Sequence, residues 1–251
     1  VFIDPVSTGF SRPADEKGAK QFHGVEEDLK SVGEFIRLYV TRNERWTSPR
    51  YLAGESYGTT RAAALADHLQ DRLGMRLNGV LLISVVLNFE TIAFNEGNDL
   101  PYSLYLPAYA ATAWHHKKLD GELQKDFGKT LAKAEAFANG DYLVALQKGL
   151  GLSESERKDV AARVSQFTGL SPEYVLRNNL RVDGSRFQRE LLRDRGHTVG
   201  RFDSRYLGKD NNDSADRPEY DPSYAAVRGS YTEGMNAYLR GTLKYKSDLP
   251  Y

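Results

Sequence analysis

The sequence contains no cysteine among its 251 residues. Without thiols the chain has no disulfide bonds, no thiolate metal ligands and no cysteine nucleophile. Because reducing and oxidising compartments both tolerate cysteine-free chains, this absence leaves the compartment open.

An excess of one charge is also missing, since 34 lysine and arginine residues balance 34 aspartate and glutamate residues. No basic block stands out, and we therefore expect neither nucleic acid nor an anionic membrane surface as a partner. The longest apolar run, residues 79–87, is far shorter than the roughly 20 residues that span a bilayer, so it predicts a buried strand and no transmembrane helix. Metal-ligand spacings such as His-x-x-x-His and phosphate-binding glycine loops are absent, so we predict no cofactor.

Alternating strand and helix patterns occupy residues 1–95, which we predict to be a core segment of the α/β class. Apolar residues recur at three- and four-residue spacing over residues 25–40 and 59–73, which predicts two helices. Short apolar segments at residues 1–6, 51–53 and 80–86 predict three strands. This order is typical of a parallel sheet covered by helices.

Helical patterning dominates residues 96–251, which we predict to form a mainly helical cap or insertion. The predicted helices cover residues 109–119, 131–147, 153–167 and 173–180. Ser153 opens a capping box with Glu156, and Ser171 stands before a proline in the first turn of the next helix.

Two further patterns lie near the C-terminus. Residues 209–222 are rich in Asp, Asn and Pro, which predicts an exposed loop. Tyr224, Tyr231 and Tyr238 lie seven residues apart on a predicted helix face, a spacing that favours core packing over ligand binding.

The most informative motif is Gly-Glu-Ser-Tyr-Gly at residues 54–58, where an apolar segment gives way to a helical pattern. This is the layout of a nucleophile elbow, in which a serine projects from a sharp strand-to-helix turn. Gly54 and Gly58 are the small neighbours that let the backbones pack closely there. The same spacing arises by chance in plain surface turns, so the strand-to-helix context carries the prediction that Ser56 is a nucleophile. It would stand at the carboxyl end of the middle strand, where open α/β sheets place their active sites.

A second motif, Pro-Val-Ser-Thr-Gly-Phe-Ser at residues 5–11, precedes the elbow by one predicted helix. Together the two motifs resemble those of the serine carboxypeptidase family, and Ser7 stands where that family has glycine. The resemblance covers most of the chain, although residues 96–251 match mainly because they form the same kind of structure, a helical insertion, at the same position along the chain. It implies a partial α/β-hydrolase sheet with a large helical cap, and an enzyme that releases C-terminal residues from peptides. A secreted or periplasmic location is implied by the resemblance alone.

The resemblance also implies roles for three consecutive residues. Ser56 would attack the scissile carbonyl, and the backbone N–H of Tyr57 would be one donor of the oxyanion hole. Glu55 would bind the terminal carboxylate of the peptide substrate by sharing a proton, which favours acidic pH because two nearby carboxylates cannot both be ionised cheaply. The alternative for Glu55 is a carboxylate that is simply hydrogen-bonded under the elbow.

A histidine base and an orienting acid are harder to find. His23 precedes the elbow, His68 lies on the helix after it, and His115 and His116 lie in the helical region. Neither His68 nor the His115–His116 pair has the placement of a base. His197, with Asp183 or Asp194 as its acid, superficially suits the role, but base and acid should each follow a further strand, and the sequence predicts no strand there.

In the resembled family the acid and base lie beyond the position of Tyr251, and the glycine-rich oxyanion segment lies before that of Val1. We therefore expect an internal fragment of a longer protein, cut upstream of Val1, inactive and poorly soluble alone. Two other interpretations stay open: another α/β-hydrolase such as an esterase, and a catalytically dead peptide-binding module.

Overall fold

The computed structural model describes residues 1–249, except for the side chains of residues 16 and 17. Two compact units make up this part of the chain: Val1–Phe89 together with residues 246–249, and Glu90–Tyr245. The division falls close to the boundary predicted after residue 95. Most described residues are helical, and a small parallel sheet gives the first unit a partial α/β arrangement.

The first unit has the order α1 (Val25–Arg42), β1 (Tyr51–Glu55), α2 (Tyr57–Asp71) and β2 (Gly79–Ile83). The two strands pair in parallel, with Tyr51 opposite Gly79 and Glu55 opposite Ile83. Acidic residues in the first turn of α1 complement the positive end of the helix dipole. The core of this unit consists of buried residues on α1, α2 and the loop after α2: Val32, Val40, Leu65, Leu69 and Met75.

Two strand predictions for this unit are wrong in part. Residues 1–6 form no strand in the described chain, and Val1 and Phe2 are 79% and 97% exposed. The apolar run after residue 79 forms β2, but its side chains are exposed rather than buried, including Leu81 at 50%. Strand burial depends on what covers a sheet, and within this unit the sheet has only two strands.

The second unit is built from helices. Its elements are α3 (Leu100–His115), α4 (Gly121–Lys125), α5 (Phe127–Phe137), α6 (Leu143–Lys148), α7 (Glu154–Thr168), α8 (Pro172–Arg177), α9 (Gly184–Glu190), β3 (Thr198–Val199), β4 (Leu207–Gly208) and α10 (Pro222–Asn236). One continuous core joins α3, α5, α7 and the segments after them, with Ala110, Ala113, Ala134 and Ala161 fully buried where helices approach closely. None of the helices found over residues 1–249 is long and apolar enough to cross a membrane.

The local start signals in this unit are confirmed. The Ser153 hydroxyl accepts the N–H of Glu156, whose carboxylate accepts the N–H of Ser153 in return, and the Ser171 hydroxyl accepts the N–H of Tyr174. The single helix predicted over residues 131–147 is interrupted, because Gly140 leaves helical geometry at φ −119° and ψ −107°. Glycine tolerates this conformation at low cost, so α5 and α6 are separate helices.

The loop predicted over residues 209–222 contains a buried ion pair. Asp210 has a fully buried carboxylate, and its Oδ2 lies 3.1 Å from Nε of Arg189, whose side chain is 2% exposed. Arg189 Nη2 also donates to the carbonyl of Asn212 and to Asp213. The loop is therefore anchored to α9 by charge, which composition alone did not indicate.

The tyrosines spaced seven residues apart are not core residues. Tyr224 and Tyr231 on α10 are 47% and 74% exposed, and Tyr238, in the π-helical segment after α10 (Ala237–Thr242), is 49% exposed. Within the second unit α10 is buried only at its first turn, through Pro222 and Ser223. The seven-residue spacing correctly placed the tyrosines on a helix, but spacing does not reveal whether another element covers that face.

Arg189→Ala removes the cation beside the buried carboxylate of Asp210. We expect the free energy of unfolding to fall by about 3–5 kcal/mol, because a buried charge without its partner keeps its desolvation penalty. Urea denaturation followed by circular dichroism measures the change. Arg205→Ala is the matched control, since Arg205 is 69% exposed and pairs with Asp203 at the surface. An equal loss in the free energy of unfolding in the two variants would show that the buried ion pair stabilises the fold no more than the exposed one.

Candidate active site

Ser56 occupies the turn between β1 and α2. Its backbone has φ 53° and ψ −121°, a region that residues other than glycine seldom adopt and that costs about 1–3 kcal/mol. The residue is exposed, and its backbone N–H donates to the carbonyl of Ile83 at the end of β2. A strained, exposed serine between a strand and a helix is the geometry that a nucleophile elbow requires.

Close backbone contact explains one of the two glycines. A Cβ atom added at Gly54 would lie 1.9 Å from the carbonyl oxygen of Gly58 and 2.8 Å from the nitrogen of Thr59. A Cβ atom added at Gly58 would meet nothing within 4 Å among the described residues. Gly54 is thus required by contact, whereas Gly58 contributes its backbone oxygen and not its missing side chain.

Glu55 ends β1 directly before Ser56, and it is exposed. Among the described residues of the first unit, no hydrogen bond or ion pair engages its carboxylate. A glutamate hydrogen-bonded under the elbow is therefore not what this unit contains. The carboxylate is free to meet a ligand at the same edge of the sheet as Ser56.

Tyr57 opens α2, so its backbone N–H is one of the helix donors without an intrahelical acceptor. The guanidinium of Arg61, one turn later, lies 5.1 Å from the centre of the Tyr57 ring. Arg61 in turn pairs with Asp28 on α1, with Nε 2.7 Å from a carboxylate oxygen. Asp28 is 7% exposed, so this pair ties α1 to the first turn of α2 in a partly desolvated setting. Tyr57 and Arg61 are neighbours because they lie four residues apart on one helix, whereas Asp28 and Arg61 are 33 positions apart in the sequence.

The loop at residues 5–11 is a compact turn. Ser7 has φ 70° and Gly9 has φ 47°, both in the left-handed region. The carboxylate of Asp4 accepts the N–H of Phe10 at 3.0 Å and lies where a Cβ atom of Gly9 would be. Ser7 thus adopts the backbone conformation that favours glycine, the residue found there in the motif it resembles.

The histidines have local partners away from the elbow. In the first unit, His23 Nε2 lies 3.3 Å from Ser7 Oγ, and His68 packs beside Gly33 on α1. In the second unit, His116 Nε2 donates to the carbonyl of Ser204, and burial lowers the pKa of His116 below its usual value.

His197 does not have the surroundings of a catalytic base. Its Nδ1 donates to the carbonyl of Arg195, and it stands before the two-residue antiparallel strand β3 rather than after a parallel one. Asp183 caps α9, and Asp194 pairs with Lys118, so neither candidate acid hydrogen-bonds His197. The second unit therefore does not assemble an acid and a base around this residue.

One cavity lies wholly within the second unit and has a volume of about 1350 Å³. Its walls include Lys118 paired with Asp194, and Arg163, whose guanidinium lies 4.1 Å from the centre of the Phe137 ring. Charges of both signs favour a polar ligand over an apolar one. No group of three or more His, Asp or Glu side chains over residues 1–249 is placed to hold a metal ion.

No family model, curated protein or solved structure matches the chain. The resemblance to serine carboxypeptidases therefore depends on the two motifs in the first unit. Each motif contains a serine with positive φ, Ser7 at 70° and Ser56 at 53°.

Gly54→Ala and Gly58→Ala form a matched pair that tests the elbow contact. At Gly54 the new Cβ atom overlaps backbone, so we expect a loss of about 1–3 kcal/mol in the free energy of unfolding. At Gly58 we expect a gain of up to about 1 kcal/mol, because alanine is the better helix former and has room. Urea denaturation of both variants measures these changes. A Gly54→Ala variant as stable as wild type would show that the contact is not tight.

Proposed function

We propose that this chain carries the nucleophile and helical cap of a serine carboxypeptidase with the α/β-hydrolase fold. The observation that carries the proposal is the backbone of Ser56, strained at φ 53° and ψ −121° between a parallel strand and a helix. Strain of this kind persists only where the surroundings enforce it, and it concentrates at functional sites. The exposed carboxylate of Glu55 beside it supports a substrate with a free C-terminus.

In the proposed reaction, Oγ of Ser56 attacks the carbonyl carbon of the last peptide bond while a base takes its proton. The oxyanion that forms is stabilised by the N–H of Tyr57 and a second donor. The C–N bond then breaks, the departing amino acid takes the proton, and an ester to Ser56 remains. Water hydrolyses this ester by the same steps in reverse.

The base, the acid and the second oxyanion donor belong to segments outside residues 1–251 in this proposal. Within the first unit neither His23 nor His68 hydrogen-bonds Ser56, and His116 and His197 are held by backbone carbonyls. The same observation favours the second candidate function, a peptide-binding module without catalysis. Reactivity of Ser56 in the full-length protein distinguishes the two.

A fluorophosphonate probe reports an activated serine without a known substrate. In the full-length protein we expect covalent labelling at Ser56, lost in Ser56→Ala and kept in Ser7→Ala. Ser7 is a suitable control because its hydroxyl contacts a histidine, His23, at 3.3 Å. Mass spectrometry of the labelled peptide identifies the site.

Three results would count against parts of the proposal. An unlabelled, folded full-length protein would favour the binding module. Labelling at Ser56 in residues 1–251 alone would place the base inside this chain, with His197 as the first residue to replace. Cleavage of esters but not of blocked dipeptides with a free C-terminus would favour an esterase.

Glu55→Gln tests recognition of the substrate carboxylate. If Glu55 shares a proton with that carboxylate, the KM of the wild type for a blocked dipeptide rises as pH rises, by up to about tenfold per pH unit for loss of one proton. Glutamine donates from a neutral amide, so we expect the KM of the variant to be nearly independent of pH. The amidated dipeptide is the control substrate, and a parallel pH dependence in both proteins would contradict the role.

A further inference from the structure

Thr59 lies fully buried in the first turn of α2 and contacts both sides of the elbow. Its Oγ1 is 2.7 Å from the carbonyl oxygen of Ser56. Thr59 Oγ1 also accepts the N–H of Val86, in the loop after β2, at 2.9 Å. One buried hydroxyl therefore connects the strained serine to the loop that follows the neighbouring strand β2.

The direction of these hydrogen bonds follows from the single proton of a hydroxyl. Thr59 Oγ1 is 3.3 Å from the carbonyl oxygen of Val86, farther than from that of Ser56. The Val86 carbonyl already accepts the hydroxyl of Thr60 at 2.6 Å. The Thr59 proton is thus donated to Ser56, while its lone pair accepts from Val86.

Two donors from Thr59 hold one carbonyl, because the backbone N–H of Thr59 also donates to the oxygen of Ser56 at 2.9 Å. That carbonyl shares a planar trans peptide with the N–H of Tyr57. In such a peptide the C=O and N–H bonds point in opposite directions. Fixing the Ser56 oxygen toward Thr59 therefore fixes the Tyr57 N–H toward the opposite side.

We propose that Thr59 is a positioning residue for the oxyanion hole, which aims the Tyr57 N–H by holding the Ser56–Tyr57 peptide. This inference rests on the proposed function, in which that N–H stabilises the oxyanion. Rotation of this peptide would change ψ of Ser56, which is −121°, and with it the strained conformation of the residue. The Thr59 hydroxyl donates to the Ser56 oxygen and so opposes that rotation. The hydroxyl is itself held in place because it accepts the N–H of Val86.

Kinetics of three variants of the full-length protein test the role. Thr59→Val keeps the shape of the side chain and removes the hydroxyl, and we expect kcat to fall on the order of 10–100-fold with KM unchanged, because the donor acts in the transition state. Thr59→Ser restores the hydroxyl and should restore kcat. Thr60→Val is the matched control, since Thr60 binds the Val86 carbonyl but not Ser56.

A spectroscopic measurement on residues 1–251 tests the contact without requiring activity. With ¹³C-carbonyl serine and ¹⁵N tyrosine, only the Ser–Tyr pairs at residues 56–57, 223–224 and 230–231 give carbonyl–amide cross peaks. Ser56→Ala identifies the first. We expect Thr59→Val to shift this peak and leave the two on α10 unchanged, with Thr60→Val shifting it less.

An unshifted cross peak in Thr59→Val would overturn the proposed contact. A shifted peak with wild-type kcat, or an equal loss of kcat in Thr60→Val, would overturn the catalytic role while the contact stands. A full-length wild type without Ser56-dependent hydrolysis would overturn the proposed function and the catalytic role with it. The cross peak would then still report separately on whether Thr59 holds the peptide.

Discussion

The contact between the Cα of Gly54 and the backbone of Gly58 is the constraint on which the first unit depends. It sets how closely α2 can begin against the end of β1, with no room for a single additional carbon atom. Only Ser56 separates the last residue of β1 from the first residue of α2, so this one residue makes the turn and takes the strained conformation. Thr59, Val86 and the Asp28–Arg61 pair surround the turn and offset the strain.

The two units differ in how much of their apolar surface they bury. The second unit has a continuous core that extends through most of its helices. Ion pairs join Arg189 to Asp210 and Arg181 to Asp99 in this unit. The first unit has a small core between α1 and α2, while β2 exposes its apolar side chains. An exposed apolar strand and an exposed aromatic helix are surfaces that other protein normally covers.

Features determined by neighbours in sequence could be predicted. The helices α1, α2 and α7, the caps at Ser153 and Ser171, and the elbow around Ser56 each depend on residues within one or two turns. Features determined by distant partners could not. Whether β2, Tyr231 and Asp210 are exposed or buried depends on which element packs against them. The local sequence around each residue would be the same whether the residue is exposed or buried, so it does not predict the outcome.

The candidate site divides in the same way. Ser56, Glu55 and Tyr57 could be named as candidates because a motif places them together, and the positive φ at Ser7 is the conformation that favours the glycine of the second motif. Thr59 and Asp28 were missed because a threonine in a first turn and an aspartate in another helix are common and carry no motif. Their roles come from contacts across 27 and 33 positions of the sequence.

The contacts described above around the elbow join residues of the first unit, from Asp28 to Val86. Separations of 27 and 33 positions are contained within the first unit, so the chain entropy lost in forming these contacts does not involve the helical unit. During synthesis from the N-terminus, Ser56 would therefore acquire its geometry while the helical unit that follows is still being made. The strain at Ser56 is in this sense a property of the first unit alone.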